Sequence, residues 1–172
     1  MRGILFKPEM IKAIVEGRKT VTRRVMPNQP ILMDKVYERD FRKDFGGRKP
    51  RYQVGEVVYI KEAWCESKFF LNRVYYKADD FNIVSKGDIW QSPLFMPERA
   101  ARYFIKILSV RAERLQEISY DEDEAMKEGV GAFEDRVSYV AEFISLWDSL
   151  NKAYPWESNP WVFRYEFESL KG

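Results

Sequence analysis

The chain has 172 residues, of which 45% are hydrophobic and 33% charged, with one cysteine and no histidine. This length and composition predict one globular domain, and the absence of histidine excludes histidine metal ligands and serine–histidine or cysteine–histidine catalysis. The single cysteine, Cys65, cannot form an internal disulfide, and we find no secretory leader and no long apolar run. We therefore expect a cytoplasmic protein without a membrane partner.

The net charge of +2 conceals opposite charges at the two ends of the chain. Residues 1–61 hold 15 lysines and arginines against 7 acidic residues, whereas residues 112–172 hold 6 against 14. The basic half could attract phosphate or another anion, with the acidic half facing away or supplying a functional carboxylate. Alternatively, the two halves neutralise each other in the fold.

The first predicted elements are a strand at residues 2–6 and a helix at about 8–16. Pro8 suits the first turn of a helix, and Gly17 suits the position just after its end. The helix leads into a basic octet, residues 17–24, which contains four cations, two hydroxyl side chains and no acid. Such a charge run is either a solvated surface or the binding site of an anionic partner.

The middle of the chain alternates between predicted strands and long insertions. Residues 26–50 lose all periodicity and predict a long loop. Residues 57–64 predict a central strand, because their apolar start implies burial on both faces. A second insertion at about 66–97 contains a short strand at 73–78. Residues 101–111 carry apolar side chains on both faces, which is typical of a barrel strand.

Two helices are predicted in the acidic half. Ser119 is the expected N-cap of a helix at 120–128, whose first turn is crowded with acids. These acids, residues 121–124, point in several directions, so we interpret them as complements of the helix dipole rather than as a metal site. A second helix at about 135–150 has an apolar stripe that includes Val137 and Trp147.

The last strand has the clearest pattern in the chain, because aromatic residues alternate with mainly charged ones. This pattern predicts one buried aromatic face and one exposed face. The whole order of elements, in which strands outnumber helices, predicts an α+β fold: a small, mostly antiparallel β-barrel with flanking helices and long loop insertions. We expect residues 1–172 to form a single domain.

Several segments in this order are similar to those of the ASCH domain family of the PUA-like superfamily. They are the basic octet after a helix, Tyr52-Gln-Val-Gly-Glu-Val-Val-Tyr, Ala125-Met-Lys-Glu-Gly and the closing aromatic strand. Three further segments resemble a phage- and prophage-encoded branch of this family: residues 59–64, 96–102 and 156–161. If the protein is phage-encoded, its expected location is the host cytoplasm.

The resemblance implies a barrel whose basic cleft binds RNA, another single-stranded nucleic acid or a modified nucleoside. Cations of the octet would contact phosphate or base edges, and aromatic side chains in loops would stack on a base. For the aromatic residues, burial in the core is the alternative. The candidate binding residues are Arg18, Lys19, Arg23, Arg24, Glu62, Trp64 and Trp90, with Phe95 as a further stacking candidate.

Some small ASCH proteins are amidohydrolases that remove acyl groups from N4-acylated cytidine. Their catalytic positions correspond in this chain to Lys19 as base, Thr22 as nucleophile and Glu128 as acid, and their conserved arginine corresponds to Arg24, which would stabilise the oxyanion. In a regular strand Lys19 and Thr22 would face opposite sides, so a shared site requires irregular backbone between them. This chemistry needs no metal or cofactor, and we expect none.

Three functions thus follow from the sequence, of which we favour the first. The chain is a nucleic-acid or modified-nucleobase binding module, an amidohydrolase, or a protein-interaction module. The insertions at 26–50 and 66–97 depart from the minimal acylcytidine hydrolases and suit a larger ligand.

Overall fold

The computed structural model describes residues 1–29, 45–70, 73–79, 87–131 and 138–170. Within these residues the fold is mixed α+β with a five-stranded main sheet and few helices, which confirms the predicted class. Closure of this sheet into a barrel stays a prediction. The chain divides into two compact units, which we describe separately: unit 1 contains residues 1–17, 57–106 and 169–172, and unit 2 contains residues 18–56 and 107–168. The single domain expected from the length also stays a prediction.

The described residues form strands and α-helices, with short 3-10 helices between them. The strands are β1 (Arg2–Leu5), β2 (Val21–Val25), β3 (Val57–Lys61), β4 (Trp64–Glu66), β5 (Val74–Tyr76), β6 (Phe104–Arg114) and β7 (Trp161–Leu170). The α-helices are α1 (Pro8–Val15), α2 (Glu122–Met126) and α3 (Tyr139–Leu150). Among the described residues, no helix is long and apolar enough to cross a lipid bilayer.

Unit 1 is built around β3, which lies between β1 and the first residues of β6. It pairs in parallel with β1 and antiparallel with β6, where Val58 lies opposite Ile105. Val58 and Ile60 are fully buried, so the predicted central strand is confirmed. The predicted first helix is confirmed as α1, and Gly17, just beyond it, has the positive φ of 76° that glycine adopts at low cost.

The second sheet of unit 1 is the hairpin of β4 and β5, which pair antiparallel. The strand predicted at 57–64 is therefore two strands, because β3 ends at Lys61 and β4 begins at Trp64. The strand predicted at 73–78 is confirmed as β5. Parts of both predicted insertions, residues 30–44, 71–72 and 80–86, lie outside the described residues.

In unit 2, β7 lies between β6 and β2. Strands β2 and β7 are antiparallel, so that Thr22 lies opposite Tyr165 and Arg23 lies opposite Arg164. Helices α2 and α3 pack on a hydrophobic cluster of this unit. Its buried members are Leu115, Ile118, Ala125, Phe143, Trp147 and Val162.

Two predictions for unit 2 were wrong in detail. Ser119 does not cap α2, because it lies in a 3-10 helix (Leu115–Tyr120), and the Asp121 side chain accepts the capping hydrogen bond from the Glu124 N–H. The second face of β7 is not exposed as predicted: Val162 and Arg164 are buried. Val162 belongs to the hydrophobic cluster, and Arg164 is neutralised by glutamates.

The second predicted helix of unit 2 is confirmed as α3, which begins at Tyr139 after the N-cap Ser138. The predicted stripe residue Val137 lies outside the described residues. One of the acids assigned to the helix dipole has a more specific role, since the Glu122 carboxylate accepts hydrogen bonds from the backbone N–H groups of Tyr139 and Val140. Glu122 thus joins α2 to the start of α3.

Candidate functional site

The backbone brings Lys19 and Glu128 together at the start of β2. These two residues form an antiparallel bridge, and the N–H groups of Thr20 and Val21 both donate to the Lys127 carbonyl, at 3.0 and 3.1 Å. Lys19 lies two residues before the regular strand β2, which begins at Val21. Glu128 lies just after α2, where Gly129 turns the chain with a φ of 78°.

The Lys19 ammonium group is buried and forms hydrogen bonds with three oxygens. It donates to the carbonyl oxygens of Val21 and Glu128 at 2.8 and 2.7 Å, and to Glu128 Oε2 at 2.8 Å. Only 1% of the Lys19 side chain and 5% of the Glu128 side chain are exposed. Burial lowers the pKa of Lys19, and the carboxylate of Glu128 only partly offsets this effect. The predicted base and the predicted acid are therefore in direct contact.

Arg23 holds the other oxygen of the same carboxylate. Its Nη1 donates to Glu128 Oε1 at 2.9 Å, and its Nε donates to Glu113 Oε1 at 2.6 Å. The side chain is 1% exposed. Burial by itself lowers the pKa of Arg23, but the charges of Glu128 and Glu113 outweigh burial, so that its pKa is raised. Arg23 is thus a fixed cation that orients Glu128.

Glu124 separates two arginines that lie directly opposite each other on β2 and β7. Like charges at such cross-strand positions repel. Glu124 Oε2 accepts from Arg23 Nη2 at 3.1 Å and from Arg164 Nε at 2.8 Å, while Oε1 accepts from Arg164 Nη2 at 2.9 Å. Burial tends to raise the pKa of Glu124, but hydrogen bonds from Arg164, Lys127 and Arg23 hold it at about 2. We call this group the buried charge network: Lys19, Arg23, Glu113, Glu124, Glu128 and Arg164.

Thr22 and Arg24 lie on the other face of β2, because successive side chains of a strand alternate. Their partners across the ladder are Tyr165 and Phe163. Thr22 is buried and Arg24 is partly buried. Burial lowers the pKa of Arg24, whereas the charge of Glu128 acts in the opposite direction. Arg24 therefore acts electrostatically on Glu128, although it lies on the face opposite Arg23.

The remaining cations of this region lie at the surface. Arg18 is exposed. The side chains of Arg111 and Lys127 are 56% and 43% exposed, and each forms an ion pair with the buried charge network, at Glu113 and Glu124 respectively. Of the octet cations, Lys19 and Arg23 are thus enclosed with glutamates, and Arg18 faces solvent.

Glu62 belongs to unit 1, where it forms a separate buried ion pair. Both of its carboxylate oxygens accept from Arg102, at 2.8 Å each, and Arg102 also donates to Asp79. The Arg102 guanidinium carbon lies 3.9 Å from the ring centroid of Tyr76 and 4.7 Å from that of Tyr103. This geometry gives Glu62 a structural partner inside its own unit.

The predicted stacking residues also lie in unit 1 and differ in exposure. Trp64 is buried against Met96 and Ala100. Trp90 is partly buried, and Phe95 is 70% exposed. Trp64 and Phe95 line one pocket of this unit. Burial in the core was the alternative to base stacking for all three residues. Of the three, Trp64 is the most buried and Phe95 the least.

The geometry of unit 2 suits proton transfer. One hydrogen bond joins a lysine and a glutamate that are both buried, so a single proton can move between them. Within the described part of the chain, no group of three or more cysteine, aspartate or glutamate side chains is arranged to hold a metal ion.

Three members of the buried charge network, Glu113, Glu124 and Arg164, were not predicted as part of the site. One signal for these residues was the opposite charge of the two chain ends. It indicated that acidic and basic residues neutralise each other in the fold, but not which residues pair. Arg164 was a second signal, because it interrupts a strand that is otherwise strongly apolar up to Tyr165.

Comparison with known proteins gives little further information. No protein-family model matches the chain, and no curated protein is significantly similar to it in sequence. Among solved structures, the chain is similar to protein EF3133 from Enterococcus faecalis V583, of family DUF984. The two are 12% identical with a TM-score of 0.46, over 99% of this chain and 81% of the other. We base no argument on a similarity of this size.

Proposed function

We propose that the chain binds a modified nucleobase and hydrolyses its N4-acyl amide, as a member of the ASCH family with a closed barrel. The observation that carries this proposal is the contact between Lys19 and Glu128. These residues are 109 positions apart, and their buried side chains meet at 2.8 Å. Both were assigned catalytic roles through the resemblance alone, so their contact is independent support for a shared site.

The contact supplies a base and an acid by one proton transfer. When the proton moves from Lys19 Nζ to Glu128 Oε2, the charged pair becomes a neutral amine and a neutral carboxylic acid. Burial lowers the pKa of Lys19 and therefore favours the loss of its proton. The amine then accepts the Thr22 hydroxyl proton as Thr22 Oγ attacks the acyl carbon, and the carboxylic acid protonates N4 as the C–N bond breaks. Water finally hydrolyses the acyl ester on Thr22.

Two arginines have distinct tasks in this scheme. Arg23 keeps Glu128 Oε1 occupied, so that Oε2 is the oxygen that faces Lys19. Arg24 lies on the face of Thr22 and would stabilise the negative charge of the tetrahedral intermediate. The proposal also requires the Thr22 hydroxyl to reach the Lys19 nitrogen when substrate is bound.

The test is hydrolysis of N4-acetylcytidine by the purified chain, followed as the formation of cytidine. We expect turnover by the wild type and a loss of about 100-fold or more in Lys19→Met, Thr22→Ala and Glu128→Gln, because each removes a group that transfers a proton or forms a bond. Lys152→Met is the matched control, since Lys152 is an exposed lysine of the same unit. Far-UV circular dichroism would verify that each variant is folded.

Two outcomes would contradict the hydrolase proposal. One is the absence of cytidine at high enzyme concentration with several N4-acyl groups. The other is a folded Lys19→Met variant that retains the wild-type rate.

A second candidate function is the binding of RNA or another single-stranded nucleic acid. The exposed cations Arg18, Arg111 and Lys127 favour it, whereas the glutamates that surround Lys19 and Arg23 leave those two cations less available to phosphate. If phosphates bind to these cations, affinity for single-stranded RNA should fall steeply between about 50 and 200 mM salt. Arg18→Gln should then lower the slope of log affinity against log salt by about one. An affinity that does not change with salt would exclude this function.

A further inference from the structure

Tyr165 lies directly opposite Thr22 on the ladder between β2 and β7. Residues that face each other across an antiparallel ladder project their side chains to the same side of the sheet. The Tyr165 ring is therefore on the side of Thr22, the proposed nucleophile, and Arg24 lies on that side as well. Only 1% of Tyr165 and 4% of Thr22 are exposed. The two hydroxyl side chains thus share one buried face of unit 2.

The Tyr165 hydroxyl oxygen accepts hydrogen bonds from the backbone. The Arg51 N–H donates to it at 3.1 Å, and the Tyr52 N–H is a second backbone donor to the same oxygen. These bonds occupy the lone pairs of the oxygen, so that the hydroxyl proton is left to donate. Within the residues that the structure describes, this proton has no acceptor. A buried hydroxyl that donates to no other group is uncommon in folded proteins.

The neighbours of Tyr165 fix the position of its hydroxyl. The Tyr52 ring packs edge-on against the Tyr165 ring, with centroids 5.5 Å apart, and the Phe163 ring lies 6.2 Å away. Burial raises the pKa of Tyr165 to about 12, so the hydroxyl keeps its proton at neutral pH. Tyr165 is thus a preoriented donor, and such donors stabilise a developing negative charge without reorganisation.

We propose that the Tyr165 hydroxyl donates a hydrogen bond to the acyl oxygen of the substrate as Thr22 attacks the acyl carbon. This inference rests on the hydrolase proposed above and adds Tyr165 to it as a catalytic residue. When the bond between Thr22 Oγ and the acyl carbon forms, an electron pair of the carbonyl group moves to the acyl oxygen. Tyr165 stabilises that negative charge and keeps its own proton, and the electron pair returns when the C–N bond breaks.

The hydrogen bonds of Tyr165 specify which kind of group it can bind. Its oxygen is already occupied by two N–H donors, so an incoming ammonium or amide N–H group finds no free lone pair. A carbonyl oxygen or an oxyanion, in contrast, accepts the remaining proton. Arg24 supplies positive charge on the same face, and Tyr165 adds a directed hydrogen bond.

The first test compares Tyr165→Phe with the wild type in the hydrolysis of N4-acetylcytidine. We expect kcat to fall about 100-fold with little change in KM, because the full negative charge is absent from the bound substrate. Tyr59→Phe is the matched control and should keep the wild-type kcat. Tyr59 is also buried, and its hydroxyl donates to the Met96 carbonyl in unit 1 at 3.3 Å. Urea denaturation would verify that both variants are folded.

The second test keeps both the hydroxyl and the packing of Tyr165. Fluorotyrosine incorporated at this position has a more acidic hydroxyl, which is a stronger hydrogen-bond donor. Its kcat should exceed that of the wild type if the hydroxyl contacts the oxyanion, whereas a purely structural hydroxyl would leave kcat unchanged.

The outcomes separate this inference from the hydrolase itself. If the wild type forms cytidine and folded Tyr165→Phe does so at the same kcat, the role of Tyr165 is refuted and the hydrolase stands. A loss that appears in KM alone, or an unchanged kcat with fluorotyrosine, also refutes the role of Tyr165. If the wild type hydrolyses no N4-acyl group, both proposals are overturned.

Discussion

Replacing Arg23 by methionine is expected to lower the free energy of unfolding by about 3–5 kcal/mol. The side chain is 1% exposed, and its guanidinium group contacts Glu113, Glu128 and Glu124. Without it, buried carboxylates lose a partner, and water cannot replace that partner. Urea denaturation of the wild type and the variant, followed by circular dichroism, measures the difference. Urea is preferred to guanidinium chloride, because salt screens charges.

A matched surface variant and a double variant give this prediction its controls. Arg111→Gln removes a cation from the same Glu113 carboxylate, but the Arg111 side chain is 56% exposed, so the loss should be at most about 1 kcal/mol. The double variant Arg23→Met/Glu113→Leu should be more stable than the sum of the two single losses predicts, since it removes both members of a contact. A loss below about 1 kcal/mol for Arg23→Met would show that the network contributes little to stability.

Most regular elements could be predicted from the sequence, because they follow the period of their side chains. Helix α1 and strand β3 have local patterns that already specify buried faces. Arg164 shows where such reasoning fails: its charge predicted an exposed face, but its partner, Glu124, lies 40 residues away and neutralises it inside the protein. The wrong prediction of the N-cap at Ser119 has a local cause: a 3-10 helix precedes α2, so that the N-cap is Asp121 and α2 begins at Glu122.

The candidate site was predictable only in part. Lys19 and Glu128 were identified by resemblance to a family, and their distance could not be derived from local patterns. The roles of Arg23 and Glu113 could not be predicted at all, because their contact joins residues 90 positions apart on different strands. The sequence indicated an excess of positive charge in the octet. Which of these cations would be enclosed and which exposed depends on the alternation of β2 and on the pairing of β2 with β7.

The stability of the wild type should fall by about 3 kcal/mol through Glu124 alone when the pH is lowered from 5 to 2. The pKa of Glu124 is about 2 in the folded protein, against an ordinary value of 4.5. The unfolded chain therefore binds more protons at this position as the pH falls through 4.5 towards 2, and protonation favours unfolding. The stabilisation is complete above about pH 5 and is lost progressively below it. Urea denaturation at a series of pH values measures this slope.

The variant Glu124→Gln isolates the contribution, since glutamine has the same shape and does not titrate. It should be less stable than the wild type at neutral pH, and the difference should shrink as the pH approaches 2. Some acid sensitivity should remain, because hydrogen bonding from Arg164 also lowers the pKa of Glu166. Glu168→Gln is the control: its side chain is exposed, so the wild-type profile should persist. If stability falls with pH to the same extent in the wild type and in Glu124→Gln, the charge of Glu124 does not hold the two arginines together. Another group would then have to compensate the cross-strand repulsion between Arg23 and Arg164.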